Sequence, residues 1–254
     1  ISSNGKDIIN ITYNRFDPYP ISLSNKIHRV KENISEIQDL LKYSSDVSEL
    51  ELQITNFHAD IANKTSKEID FDLIGFHGHT IYHNSEQKIS KQIGLGVDLS
   101  KKTKKTVVYD FRQEDIKNGG EGAPLSPIYH LALIKELFNE NKVKIPISIL
   151  NIGGIANITE IDKDFNITSR DIGPGNCLID KWVRKNSDKF IDEDGNLADK
   201  GKIDKFIFDQ YLDNYHYSKI HSKRSLDPND FDISFAKGLS LENGASTITD
   251  LTSE

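Results

Sequence analysis

The sequence predicts an α/β layered fold with a partly parallel sheet, and three observations carry that prediction. Strand-like segments rich in β-branched residues alternate with amphipathic helical ones. Tight clusters of glycine, histidine, aspartate and arginine fall at the ends of the strands. After "NKVKIP" the alternation gives way to three consecutive strand-like segments and then a helix.

Taken in order, "DIINITYNRF" reads as a strand, and "PISLSNKIHRVKEN" as a helix opened by a proline that suits a first helical turn. In "DVSELELQITNFHADIANKTSKE", Val47, Leu50, Ile54, Phe57 and Ile61 recur at steps of three and four, which predicts an amphipathic helix. "FDLIGFHGHT" runs from a buried strand into a Gly/His turn. "KQIGLGVDLSKKTKKT" gives a short strand and a helix, and "TVVYDFR" is a strand ending in charge. "SPIYHLALIKELFNEN" places Leu131, Ile134, Leu137 and Phe138 on the apolar face of another helix. Then "ISILNIGG", "IANITEI" and "NITSRDI" form a three-stranded meander joined by Gly-Gly and "DKDFN", signals for tight hairpins. "NCLIDKWVRKN" follows as a helix. This change of rhythm predicts a domain boundary near residues 141–146.

Bulk properties narrow the function classes. With 254 residues the chain holds one large domain or two modest ones, and 36% hydrophobic with 28% charged residues describes a globular protein. A net charge of −7 with scattered lysines gives no basic face for nucleic acid. No apolar run approaches the roughly 20 residues that span a bilayer. The single cysteine, Cys177, excludes an internal disulfide framework, fits a cytosolic protein and reads as a buried helix residue. The chain has no methionine, even at position 1, and "LENGASTITDLTSE" stops within helical spacing (Leu241, Ile248, Leu251); both features read as an internal fragment of a longer protein.

In α/β sheets, ligands sit beyond the carboxyl ends of strands. His77-Gly78-His79-Thr80, Asp110-Phe111-Arg112, Gly153-Gly154 and Asp171 to Asn176 occupy such ends. Each also has a plain structural reading: satisfied histidines, an ion pair, a hairpin, a turn carboxylate. "GGEGAPLSP" adds a loop of fixed shape after the Asp/Arg strand. "GPGN" before a helix reads as a phosphate cradle, since glycines let amide N–H groups face an anion at a helix start. No GxxxxGK[ST] loop, zinc-ligand spacing or GxSxG elbow occurs.

Together, "GFHGHTIYH", "DFRQEDIKNGGEGAPLSP", "LNIGGIANIT" and "DIGPGN", in this order, resemble anhydro-N-acetylmuramic acid kinases of the sugar kinase/Hsp70/actin superfamily. "KRSLDPNDFD" at 223–232 is similar to a further family segment. The resemblance implies a two-lobe actin-like fold, here incomplete: residues 1–144 as part of the first lobe, without its N-terminal phosphate hairpin, and 145–254 as the truncated start of the second. It implies a cytoplasmic enzyme of peptidoglycan recycling that uses ATP with Mg²⁺. Water opens the 1,6-anhydro ring at C1 while O6 takes the γ-phosphoryl group, giving N-acetylmuramic acid 6-phosphate. By resemblance Asp171 is the general base, His77, Thr80 and Arg112 line the sugar pocket, and Gly153, Gly154, Asn157, Gly173 and Gly175 lie by the nucleotide. No resident protein metal site is implied, and the partners are the anhydro sugar and ATP, with a homodimer permitted.

Position 79 is His where many relatives carry Gln, which predicts a pH dependence near 6.5. The family's Gly-Thr-Ser-x-Asp-Gly loop does not occur in the chain, so the piece alone is expected to bind sugar weakly and turn over negligibly. A levoglucosan-type kinase, a non-catalytic sugar-binding module and a two-carboxylate glycosidase built on Asp110 and Asp171 are the alternatives.

Overall fold

The computed structural model describes residues 1–4, 6–84, 86–214 and 225–254. The chain divides into two compact units, Ile1–Leu125 and Ser126–Glu254. That division precedes the expected boundary near 144, and the difference is one helix. α6 (Pro127–Asn139) packs on the strands that follow it, where the His130 ring lies 2.9 Å from Thr159 Oγ1, so it joins the second unit.

In the first unit, β1 (Ser2–Ser3) and β2 (Ile8–Asn10) form a small antiparallel pair. The long strand expected over 7–16 is realised only in β2. Three helices follow: α1 (Ile21–Glu32), α2 (Ile37–Lys42) and α3 (Ser44–Thr65). On α3 the expected stripe faces inward: Val47, Leu50 and Ile54 are buried, and Phe57 packs beside them. Thr55 is buried in the same helix. Its hydroxyl donates to the Glu51 carbonyl (2.6 Å) and accepts the Leu95 N–H (2.8 Å), tying α3 to the start of α4 (Gly96–Thr103).

The parallel part of the sheet is one pair, β3 (Leu73–Phe76) beside β6 (Thr106–Tyr109). Between them the chain forms an antiparallel hairpin of β4 (His79–Asn84) and β5 (Ile89–Ile93) before α4. His79 and Thr80, expected in a turn, are therefore strand residues, and only His77-Gly78 make the turn. A tyrosine and a histidine hid the alternation: Ile81, Tyr82 and His83 are all buried on β4. After β6, Asp110 takes a left-handed conformation (φ 61°) and α5 (Phe111–Lys117) begins at once. Arg112 thus sits on a helix rather than on a strand end.

In the second unit, β7 (Ile147–Ile152), β8 (Ile155–Ile161) and β9 (Ile167–Pro174) form the expected antiparallel meander in the order β7-β8-β9. α7 (Cys177–Asn186), α8 (Asn196–Lys200), α9 (Lys205–Asn214) and α10 (Leu241–Ser253) complete it. The core packs Leu178, Trp182 and Val183 of α7 against Ala245, Ile248 and Leu251 of α10. Trp182 Nε1 donates to the Leu241 carbonyl at 2.9 Å, so its polar edge is satisfied. Cys177, expected to be buried, is only partly so at the first position of α7.

Candidate functional site

The predicted site residues converge in two groups, one in each compact unit. In the first unit, His77, Thr80 and Arg112 meet at a residue that sequence reasoning passed over, Gln92. Gln92 Nε2 donates to the His77 carbonyl, and Gln92 Oε1 accepts the Arg112 N–H at 3.4 Å. Thr80 lies opposite Gln92 in the β4–β5 register. Gly78 is pressed onto the same strand: its φ is 63°, and a Cβ there would stand 2.7 Å from the Ile93 carbonyl oxygen. Only glycine fits both conditions. Beside this junction is a cavity of about 470 Å³, lined among others by His77, Ser90, Gln92, Tyr109, Asp110 and Gln113. Ser90 Oγ is buried and has no hydrogen-bond partner among the described residues.

His77 is exposed, whereas His79 is partly buried. Burial pushes the His79 imidazole down to about 4, and the positive charge of Lys31 together with His28, His77 and His58 pushes the same way. This corrects the expected titration near 6.5: His79 is neutral at physiological pH. His58 is likewise lowered by burial and then by His77, and its Nε2 lies 2.9 Å from the Tyr19 hydroxyl.

The second group gathers around the "DIGPGN" turn. Asp171 lies on β9 opposite Asn157 of β8, next to a bulge at Ala156/Asn157. The bulge adds local twist and re-aims side chains at the strand end. Asp171 is half-buried, and its Oδ2 accepts the Leu226 N–H at 2.7 Å. Leu226 belongs to "KRSLDPNDFD", quoted in the sequence without a role; Lys223 and Arg224 of that segment lie outside the described residues. Asn157 Oδ1 is buried and makes no hydrogen bond among the described residues.

The phosphate cradle expected at "GPGN" is not available as read. The N–H groups of Gly175 and Cys177 donate to the Gly154 carbonyl (3.0 and 3.1 Å), and that of Asn176 donates to the Gly153 carbonyl (2.7 Å). These amides fasten the turn to the β7–β8 hairpin instead of facing an anion. Gly175 is glycine for that reason, since a Cβ would stand 2.3 Å from the Gly153 carbonyl oxygen. Gly153 and Gly154 differ. Neither has a positive φ, and a Cβ on either would meet nothing closer than 3.6 Å. Gly173, paired with Ala156, has open space at its own Cβ position.

Among the described residues no group of three or more His, Cys, Asp or Glu side chains is placed to hold a metal ion, and no helix is long and apolar enough to cross a membrane.

A family model described as anhydro-N-acetylmuramic acid kinase matches residues 1–242. A protein of that name from Pelagibacter ubique (strain HTCC1062) is 44% identical over 256 residues, covering 99% of this chain and 67% of the relative. One from Rhizobium johnstonii is 34% identical, covering 91% of this chain and 62% of the relative. One from Zymomonas mobilis is 44% identical, covering 72% and 48%. The chain therefore spans between about half and two thirds of the length of these relatives. With nearly every residue matched by one family model, the chain belongs to the anhydro-N-acetylmuramic acid kinase family, within the sugar kinase/actin superfamily.

Proposed function

We propose that this chain carries the general base and sugar-binding residues of an ATP-dependent kinase acting on anhydro-N-acetylmuramic acid. In that reaction water opens the 1,6-anhydro ring at C1, O6 is phosphorylated, and N-acetylmuramic acid 6-phosphate leaves. The cell would use it in cytoplasmic recycling of peptidoglycan.

The observation that carries this reading is the setting of Asp171. Water attacks an acetal carbon too slowly unless a base removes its proton during the attack. A base must be held still to be effective. Asp171 sits on a paired strand, beside a bulge, ahead of a turn fastened by three backbone hydrogen bonds, with one carboxylate oxygen held by the Leu226 N–H. In this reading the Asp171 carboxylate takes the proton.

His77, Thr80 and Arg112 would bind the sugar. Arg112 offers a planar donor fork that matches the lactyl carboxylate. The nucleotide would approach Gly153 and Gly154: neither chain packing nor backbone conformation requires glycine there, so the open space suits a phosphate drawing close to the backbone. Asn157, whose buried Oδ1 makes no hydrogen bond among the described residues, lies three residues after Gly154 near the start of β8. ATP, when bound, would supply the γ-phosphoryl group, and Mg²⁺ arriving with it would offset the phosphate charge without a dedicated protein cage.

The test replaces the matching part of the Pelagibacter relative with this chain and compares Asp171 with Asp171→Asn. Sugar affinity should stay within a few-fold, while turnover falls by roughly 10²–10⁴-fold. A rate near that of the unsubstituted chimera would remove Asp171 from the chemistry.

A further inference from the structure

We propose that Gln92 is a positioning residue for the sugar site, a side chain that ties the His77 turn and the Arg112 helix to each other. The inference rests on the reading that His77 and Arg112 face the sugar.

Arg112 is the second residue of α5, and its N–H is one of the donors that a helix start leaves without an internal partner. Asp110, which precedes the helix, makes no side-chain cap. Gln92 supplies the missing acceptor from outside, while its other end donates to the His77 carbonyl. The link is reciprocal. Gln113 of the same helix reaches back to β5, where its Oε1 accepts the Ser90 N–H at 3.0 Å. Two glutamines thus clasp strand to helix, and Gly78 closes onto the residue after Gln92, where a Cβ would stand 2.7 Å from the Ile93 carbonyl oxygen.

Both glutamines donate and accept at once, which an amide can do and an ionised carboxylate cannot. Gln92 joins the His77 turn to α5, whereas Gln113 accepts the Ser90 N–H and donates to the Lys88 carbonyl at 3.4 Å, so it joins α5 to β5 and the residue before it. Gln92→Glu would keep the bond from Arg112 but set a carboxylate against the His77 carbonyl oxygen. On protonation the new carboxyl regains an O–H to donate to that carbonyl. The charged and titratable groups around this point are His77 of the turn, Tyr109 of β6, Asp110 ahead of α5, Asp98 of α4, Glu51 of α3 and Lys91 of β5 itself, with His79 and Arg112 adjacent on β4 and α5.

The experiment measures binding of 1,6-anhydro-N-acetylmuramic acid to this chain by calorimetry at about pH 7.5 and about pH 5. Gln92→Leu should bind roughly tenfold more weakly than wild type at both values. Gln92→Glu should be roughly tenfold weaker at the higher pH and only about fourfold weaker at the lower, where about a sixth of a carboxyl of ordinary pKa carries its proton. A second readout, amide exchange of Arg112 by NMR, should be roughly tenfold faster in Gln92→Leu. Gln92→Glu binding like wild type at both pH values, or staying equally weak at both, overturns the proposal, as does unchanged Arg112 exchange. A wild-type chain that fails to bind the sugar refutes the functional reading instead, and the Arg112 exchange rate then still decides whether Gln92 holds the two segments.

Discussion

Gly175→Ala should destabilise the second unit, and the structure gives the size of the effect. A Cβ at this position would stand 2.3 Å from the Gly153 carbonyl oxygen, 3.2 Å from its carbon and 3.3 Å from the Ala156 nitrogen, all backbone atoms that no rotamer change can move aside. The turn must therefore lift off the β7–β8 hairpin. That movement strains the three hydrogen bonds from Gly175, Asn176 and Cys177 to the Gly153 and Gly154 carbonyls. At about 0.5–1.5 kcal/mol each, their loss costs about 1.5–4.5 kcal/mol. Trp182 is the single tryptophan of the chain, buried at 3% exposure in the same unit, so urea unfolding followed by its fluorescence reports on that unit alone. Gly153→Ala is the control: its φ is not positive and its Cβ would meet nothing closer than 3.6 Å, so it should cost under about 1 kcal/mol. If Gly175→Ala unfolds within about 0.5 kcal/mol of wild type, or Gly153→Ala is equally damaging, the turn is not fastened as described.

Two further outcomes follow from the first unit. With His79 lowered to about 4 in the folded chain and about 6.5 unfolded, the unfolded state binds the extra proton between those values. Stability therefore rises with pH from about 4 to about 6.5 and is fully present above it, and a series of urea midpoints should flatten over that window in His79→Gln. Thr55→Val should cost about 1–3 kcal/mol, read by circular dichroism in urea, because the Leu95 N–H loses its buried acceptor.

Periodic features were legible in the sequence and long-range polar contacts were not. The α3 stripe and the β7–β8–β9 meander could be read because burial on one face imposes a period on the residues themselves. The β4–β5 hairpin was missed because buried Tyr82 and His83 interrupt the apolar alternation. α5 was missed because seven residues rich in charge, "FRQEDIK", carry little apolar signal, and Gln92 on a distant strand supplies the acceptor at its start. Gln92 has the same difficulty from the other side: nothing in "KQIGLG" says that its amide will bridge residues 77 and 112. The pH behaviour of His79 was misread for a related reason, since its pKa is set by burial and by charges on α1 that lie far away in sequence.

The glycines carry the most transferable lesson. A motif glycine can be there because the backbone turns through it, because another strand presses on it, or because a ligand must come close. Gly78 and Gly175 are explained by the first two causes, each with a carbonyl oxygen inside 2.8 Å of an imagined Cβ. Gly153 and Gly154 are explained by neither. Sequence alone weights all four alike, as parts of one family pattern, and assigned the "GPGN" amides to phosphate when they serve the fold. Once packing has accounted for its share, the remaining pair is where, under the proposed function, a nucleotide phosphate would have room to touch the chain. An alanine at Gly153 should therefore leave urea unfolding almost unchanged while weakening ATP binding to the Pelagibacter chimera by roughly tenfold. Equal ATP affinity would leave that glycine without a ligand-based explanation.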